Sequence, residues 1–150
     1  MSGKSVIVHG TCVAFGSKAA LLRGSSGAGK SDLALRFMAV GPEGDQRPRL
    51  VADDQVVVEP RNGAGLIASS PATIAGKIEV RGLGIVEVPH LAEAALVLVV
   101  DLVPSEDVPR MPEKVPQSVE IAGRRIPLLR LSAFEPSAPL KLKLALQAAS

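Results

Sequence analysis

Residues 24–31, GSSGAGKS, limit what this chain can fold into more than any other stretch. They satisfy G-x-x-x-x-G-K-[S/T] between a strand-like run, AALLR, and a helix-like run, KSDLALRFMAV, which is the setting a phosphate-binding P-loop requires. Gly24, Gly27 and Gly29 carry no Cβ, so backbone N–H groups around Ser25, Ser26 and Ala28 are free to turn inward on phosphate oxygens. The N-terminus of the following helix adds the positive end of its dipole. Lys30 is placed to bridge the outer phosphates of a bound nucleotide, and the Ser31 hydroxyl to ligate magnesium. A glycine-rich turn that merely starts a helix would match this pattern in on the order of one chain in a few hundred. Strand and helix flanks make such an accident rarer still.

The rest of the composition narrows the setting. With 150 residues, 47% of them hydrophobic, the chain can build one core, and residues 1–150 are expected to form a single domain. Lys and Arg number 17 against 15 Asp and Glu, with no Trp or Tyr and three Phe, so no nucleic-acid surface is expected. Cys12 stands alone; it has no disulfide partner and no zinc-like spacing, and reads as a small buried apolar residue in a reducing, cytoplasmic setting. The start, MSGKSVIVHG, lacks the apolar core of a signal peptide. The longest apolar run, AALVLVV, covers about a third of a membrane span, so no membrane partner is expected.

Along the chain, SVIVHG and AALLRG read as short strands and KSDLALRFMAV as a helix with Leu33, Leu35, Phe37, Met38 and Val40 on its apolar side. Pro42 and Pro48 argue against a helix in the connection GPEGDQRPR. Asn62-Gly63 signals a hairpin between LVADDQVVVEP and LIASS. KIEVRGLGIVEVP alternates around a glycine bend, AALVLVVDLV reads as a strand covered on both faces, and residues 104–117, with four prolines, as an exposed loop. Ala122-Gly123 centres another hairpin. The tail APLKLKLALQAAS alternates its leucines like a strand, but its Ala, Leu, Lys and Gln content and Pro139 favour a helix.

A P-loop needs an acidic partner, and two compete. Asp101 ends the strand ALVLVVD, the usual place for a magnesium-holding carboxylate. Asp53 and Asp54 follow the short apolar strand LVA, and strand alternation would aim at most one of them at the nucleotide. The residues alone leave this choice open.

Three blocks, VIVHGTCVAFGSKAALLRGSSGAGKSDLALRFM, LVADDQV and IEVRGLGIVEV, together resemble the catalytic, C-terminal domain of the HPr kinase/phosphorylase family. The last block is the most specific, because E-x-R-G-L-G-I has no role in generic P-loop proteins. The resemblance covers residues 5–103 well and the remainder weakly. It implies an α/β P-loop kinase domain, with a central mixed sheet and flanking helices, that transfers phosphate from ATP to a serine of HPr or an HPr-like phosphocarrier. It implies that Asp53 takes the serine proton, that His9 lies close to it, and that Ser31 and Glu79 hold magnesium. Arg110 stands about where the family places a catalytic arginine; Asp54 and Arg81 are secondary candidates, Arg81 because it presents a cation to transferring phosphate.

The departures carry expectations too. The chain begins almost at the first strand of the kinase domain, so regulation through the N-terminal domain of longer members is not expected. Where those members have an Arg-Pro-Gly-Arg segment tied to phosphoserine dephosphorylation, this chain reads IPLLRLSAFEPSAPL, and the reverse reaction is expected to be weak. A homo-oligomer is compatible with all of this. The alternatives are a small-molecule kinase or nucleotidase, in which EVRGLG would have no place, and a nucleotide sensor without catalysis.

Overall fold

A computed structural model describes residues 4–112 and 114–149. Its strands are β1 (Val6–His9), β2 (Thr11–Phe15), β3 (Lys18–Arg23), β4 (Pro48–Ala52), β5 (Gln55–Arg61), β6 (Gly65–Ser69), β7 (Lys77–Val80), β8 (Gly84–Glu87), β9 (Glu93–Leu102), β10 (Ser118–Ile121) and β11 (Arg124–Leu131). Helices α1 (Lys30–Met38) and α2 (Ala138–Ala148) complete it. The main sheet runs β1-β5-β6-β9-β3-β2-β4, and β11, carrying β10, pairs with β9. β9 lies parallel to β3 and β11 and antiparallel to β6, so the sheet is mixed, as expected.

Alternation along the central strands divides the core in two. Val13, Phe15, Ala20, Leu22, Leu50, Leu98 and Val100 face Leu33, Ala34 and Phe37 of α1 and Leu142 and Leu146 of α2. Cys12, Ala14, Leu21, Val51 and Val99 face the other way, against Val56, Val58 and Ala68 of β5 and β6 and Ile126 of β11. Strands of one sheet therefore curl over to cover its own back, and both helices sit on the same face. β9 is covered on both sides, which is why its sequence is a continuous apolar run. Phe37 meets Phe15 edge to face at 6.4 Å and anchors α1, whose truncation at that ring would cost about 3–5 kcal/mol.

The strand TCVAF was not foreseen, yet β2 is buried along its whole length between β3 and β4. LVADDQVVVEP is two strands, divided at Asp53 and Asp54. Leu35 does not join the apolar side of α1: it lies two residues, or about 200°, from Leu33, and is 38% exposed. The tail is a helix, with Leu142 and Leu146 buried and Leu140 and Leu144 exposed, so its strand-like spacing of leucines places them on two faces. Ala122 and Gly123 take φ of 51° and 79°, the two left-handed residues of a tight hairpin. KIEVRGLGIVEVP is a separate hairpin of β7 and β8, docked through Ile78 on the helical core. Residues 104–112 and 114–117 are almost wholly exposed, as expected of a loop.

Candidate active site

β3 delivers the chain to residues 24–31 and α1 carries it away, so the loop lies where the parallel pair β3 and β9 ends. Gly24 is required by packing: a Cβ there would meet that of Ala28 at 2.7 Å. Gly29 adopts φ 94°, and its Cβ would meet that of Ala133 at 2.8 Å, so both backbone and space exclude a side chain. An Ala28 N–H to Ser25 carbonyl bond of 3.0 Å closes the turn. Lys30 folds back over it, its Nζ donating to the Gly24 and Ser25 carbonyls at 2.7 and 3.1 Å. Arg36 secures α1 from the far end by donating to the carbonyls of Ala133 and Glu135.

A cleft of about 1190 Å3 opens from this loop. Ser26, Gly27, Gly29, Lys30 and Ser31 line one side, and His9, Asp53, Asp54, Glu79 and Arg81 line it from other elements. At its centre Asp53 gathers three elements. Its Oδ1 accepts hydrogen bonds from Thr11 Oγ1 at 2.9 Å and Ser31 Oγ at 3.2 Å, and its Oδ2 accepts from the Glu79 N–H at 3.2 Å. All these donors are neutral, so the carboxylate keeps its charge for whatever enters the cleft.

Asp54 also lines the cleft, but of the two aspartates it is Asp53 that bonds to the P-loop Ser31. The chain leaves extended geometry there: Asp54 takes φ 70°, a conformation aspartate tolerates, and Gln55 N–H donates to the Asp53 carbonyl at 2.8 Å. His9 Nδ1 stands 3.4 Å from Asp54 Oδ1, an exposed pair, so the histidine expected beside Asp53 partners its neighbour.

On β7 the pattern KIEVR turns Ile78 into the core, while Lys77, Glu79 and, just past the strand, Arg81 are exposed along the cleft. The Glu79 backbone N–H and the Ser31 hydroxyl thus meet at the same carboxylate. Among the described residues no three or more His, Cys, Asp or Glu gather into a ready cage. Magnesium is commonly held by one or two carboxylates together with substrate phosphates. Ser31, Asp53 and Glu79 supply hard oxygen donors and fit that ion.

Arg110 lies in the exposed segment after β9 and is not among the residues lining the cleft. Nor is Asp101. It stands on β9 in register with Arg23, whose guanidinium grips it through Nε at 2.8 Å and Nη2 at 3.1 Å. Thr11, by contrast, is a cleft residue that sequence reasoning passed over; inside an apolar run its hydroxyl gives no signal until Asp53 is beside it. Cys12 follows it in full burial, which pushes its thiol far above the ordinary range and leaves it inert.

A strand, a glycine loop and a helix N-terminus, with an aspartate bonded to the loop's serine and a glutamate lining the same open cleft, define a P-loop domain. More narrowly, the chain belongs to the HPr Serine kinase C-terminal domain family, whose model matches residues 2–132. It is 41% identical over 92 residues to the HPr kinase/phosphorylase of Listeria welshimeri, a match covering 61% of this chain and 28% of that protein. The HPr kinase/phosphorylase of Clostridium tetani is 43% identical over 91 residues, again 61% and 28% of the two chains. The chain thus spans little more than a quarter of these relatives. The structure of the Hpr(Ser) kinase/phosphatase from Coxiella burnetii superposes with a TM-score of 0.77, covering 95% of this chain and 88% of that one at 23% identity, and shares its fold. Among the described residues no helix is long and apolar enough to cross a membrane.

Proposed function

We propose that residues 1–150 act as one catalytic unit, an ATP-dependent serine kinase whose acceptor is HPr or an HPr-like phosphocarrier, working in the cytoplasm with magnesium. The observation that carries this reading is the position of Asp53, hydrogen-bonded to the P-loop Ser31 and to the backbone of Glu79 while open to the cleft. The names of the relatives supply the acceptor.

The loop amides and Lys30 would receive the β- and γ-phosphates, Lys30 exchanging the two carbonyls it now holds for phosphate oxygens. Ser31 and Glu79 would hold magnesium, the Ser31 oxygen offering a lone pair while its O–H continues to donate to Asp53. The ion, when bound, would neutralise phosphate charge. Asp53 orients the acceptor hydroxyl and takes its proton as the serine oxygen bonds to the γ-phosphorus and the bond to the bridging oxygen of ADP breaks. His9, paired with Asp54, would help position the acceptor, and Arg81, an exposed cation on the cleft, would meet the transferring group. With Arg110 outside the lining, Arg81 is the better placed of the two arginines.

Incubation with γ-labelled ATP and magnesium, with and without HPr, tests the reading. Label on an HPr serine is expected. Free phosphate alone would make the chain a nucleotidase, and binding without turnover a sensor.

A further inference from the structure

Thr11 and Ser132 are the buried polar residues among those described, and Thr11, at 1% exposure, is the more enclosed. It opens a strand whose other members, Cys12, Val13, Ala14 and Phe15, are all apolar and buried. Packing alone would be met by valine, which has the same shape; a buried hydroxyl costs free energy unless it is bonded. Its bond goes to Asp53 Oδ1.

The register explains why. Cys12 pairs with Ala52 across β2 and β4, so the residues one step further, Thr11 and Asp53, come together. Gly10 N–H donates to the Asp54 carbonyl at 3.1 Å and fastens the same turn from its other side. A carboxylate oxygen offers two acceptor directions. On Oδ1 both are taken, by Thr11 and Ser31, whereas on Oδ2 the Glu79 N–H takes one and leaves one.

We propose that Thr11 is a positioning residue: it pins Oδ1 of Asp53 from the core so that Oδ2 is the oxygen presented to the acceptor hydroxyl. The proposal rests on the kinase reading given above. Ser31 alone would be a poor anchor, because on the kinase reading its oxygen also serves the metal. Thr11 is held in a fully buried strand between β3 and β4. Without it the carboxylate keeps only the two longer bonds, from Ser31 and the Glu79 N–H, and the share of time Oδ2 faces the acceptor falls.

The test compares Thr11→Val and Thr11→Ser with wild type in three measurements: kcat and KM for ATP in HPr phosphorylation, melting temperature, and the Asp53 carboxylate plane in crystals of each variant. For Thr11→Val the expected results are a loss of about tenfold in kcat, as for misaligned reacting groups, with KM for ATP within about twofold. The carboxylate plane is expected to turn. Thr11→Ser keeps the hydroxyl and is expected to restore both rate and plane. If valine melts out, Thr11→Ala replaces it and serine remains the reference. Wild-type kcat in Thr11→Val, equal losses in the serine and valine variants, or an unturned carboxylate would each overturn the proposal. Wild type failing to phosphorylate HPr would instead sink the kinase reading, and the carboxylate plane would still decide the role of Thr11.

Discussion

Two aspartates stand at strand ends near the P-loop, and their surroundings have little in common. Asp101 on β9 is gripped by both nitrogens of the Arg23 fork, at 2.8 and 3.1 Å, away from the cleft. Asp53 after β4 is held by two hydroxyls and one backbone N–H, and opens into the cleft. A guanidinium on a carboxylate neutralises it and fills its oxygens, which suits a residue that fastens two strands together. Neutral donors orient a carboxylate and leave its charge available, which suits one that meets a metal or a proton. Position at the end of an apolar strand therefore says little about function; the charge of the partners says much more.

The comparison can be broken from either side. The largest effect is expected at the loop that faces Asp53: Lys30→Ala should lower phosphoryl transfer by about a hundredfold or more, since it removes a cation from the transferring phosphate, while circular dichroism and melting stay near wild type. Near-normal transfer by the folded variant would remove the P-loop from the mechanism. Next comes the direction of the reaction. Release of phosphate from serine-phosphorylated HPr should run at least about tenfold slower than phosphorylation, because cleft chemistry on the phosphoserine side lacks the Arg-Pro-Gly-Arg segment. Rapid release would show that the segment is dispensable.

Smaller effects belong to the Asp101 side. Arg23→Gln frees the Asp101 carboxylate, and should cost about 1 kcal/mol of stability at this partly exposed pair, with magnesium-dependent ATP affinity unchanged within about twofold. A large gain in that affinity on freeing Asp101 would mean it is a metal residue held in reserve. Smallest of all, Cys12 should resist iodoacetamide in the folded protein and react on unfolding, since burial raises its thiol out of the reactive range. Its alkylation in the native state would show that the floor beneath Thr11 opens.

These differences explain what was legible in the amino-acid order. The loop was legible because its function lies in backbone geometry, and only glycine permits that geometry at Gly29. The hairpins at Asn62-Gly63 and Ala122-Gly123 were legible for the same local reason. β2 was hidden because a short apolar run between two glycines has no period to read, and Thr11 was hidden with it. That Asp53 and Asp54 both line the cleft depends on one left-handed residue that alternation does not foresee. The fate of Asp101 was out of reach, because the Arg23 that occupies it lies 78 residues away in the chain.

The central claim, that Asp53 and not Asp101 is the working carboxylate, is tested most directly by measuring turnover on HPr and ATP affinity for Asp53→Asn and Asp101→Asn side by side. Asparagine keeps the size and most hydrogen bonds of either residue and removes the charge. Asp53→Asn is expected to lose about a hundredfold or more in kcat, the usual scale for a missing base, with ATP still bound, while Asp101→Asn transfers phosphate within about threefold of wild type. Normal turnover in Asp53→Asn together with failure of Asp101→Asn would contradict the account and place the chemistry at the other strand end.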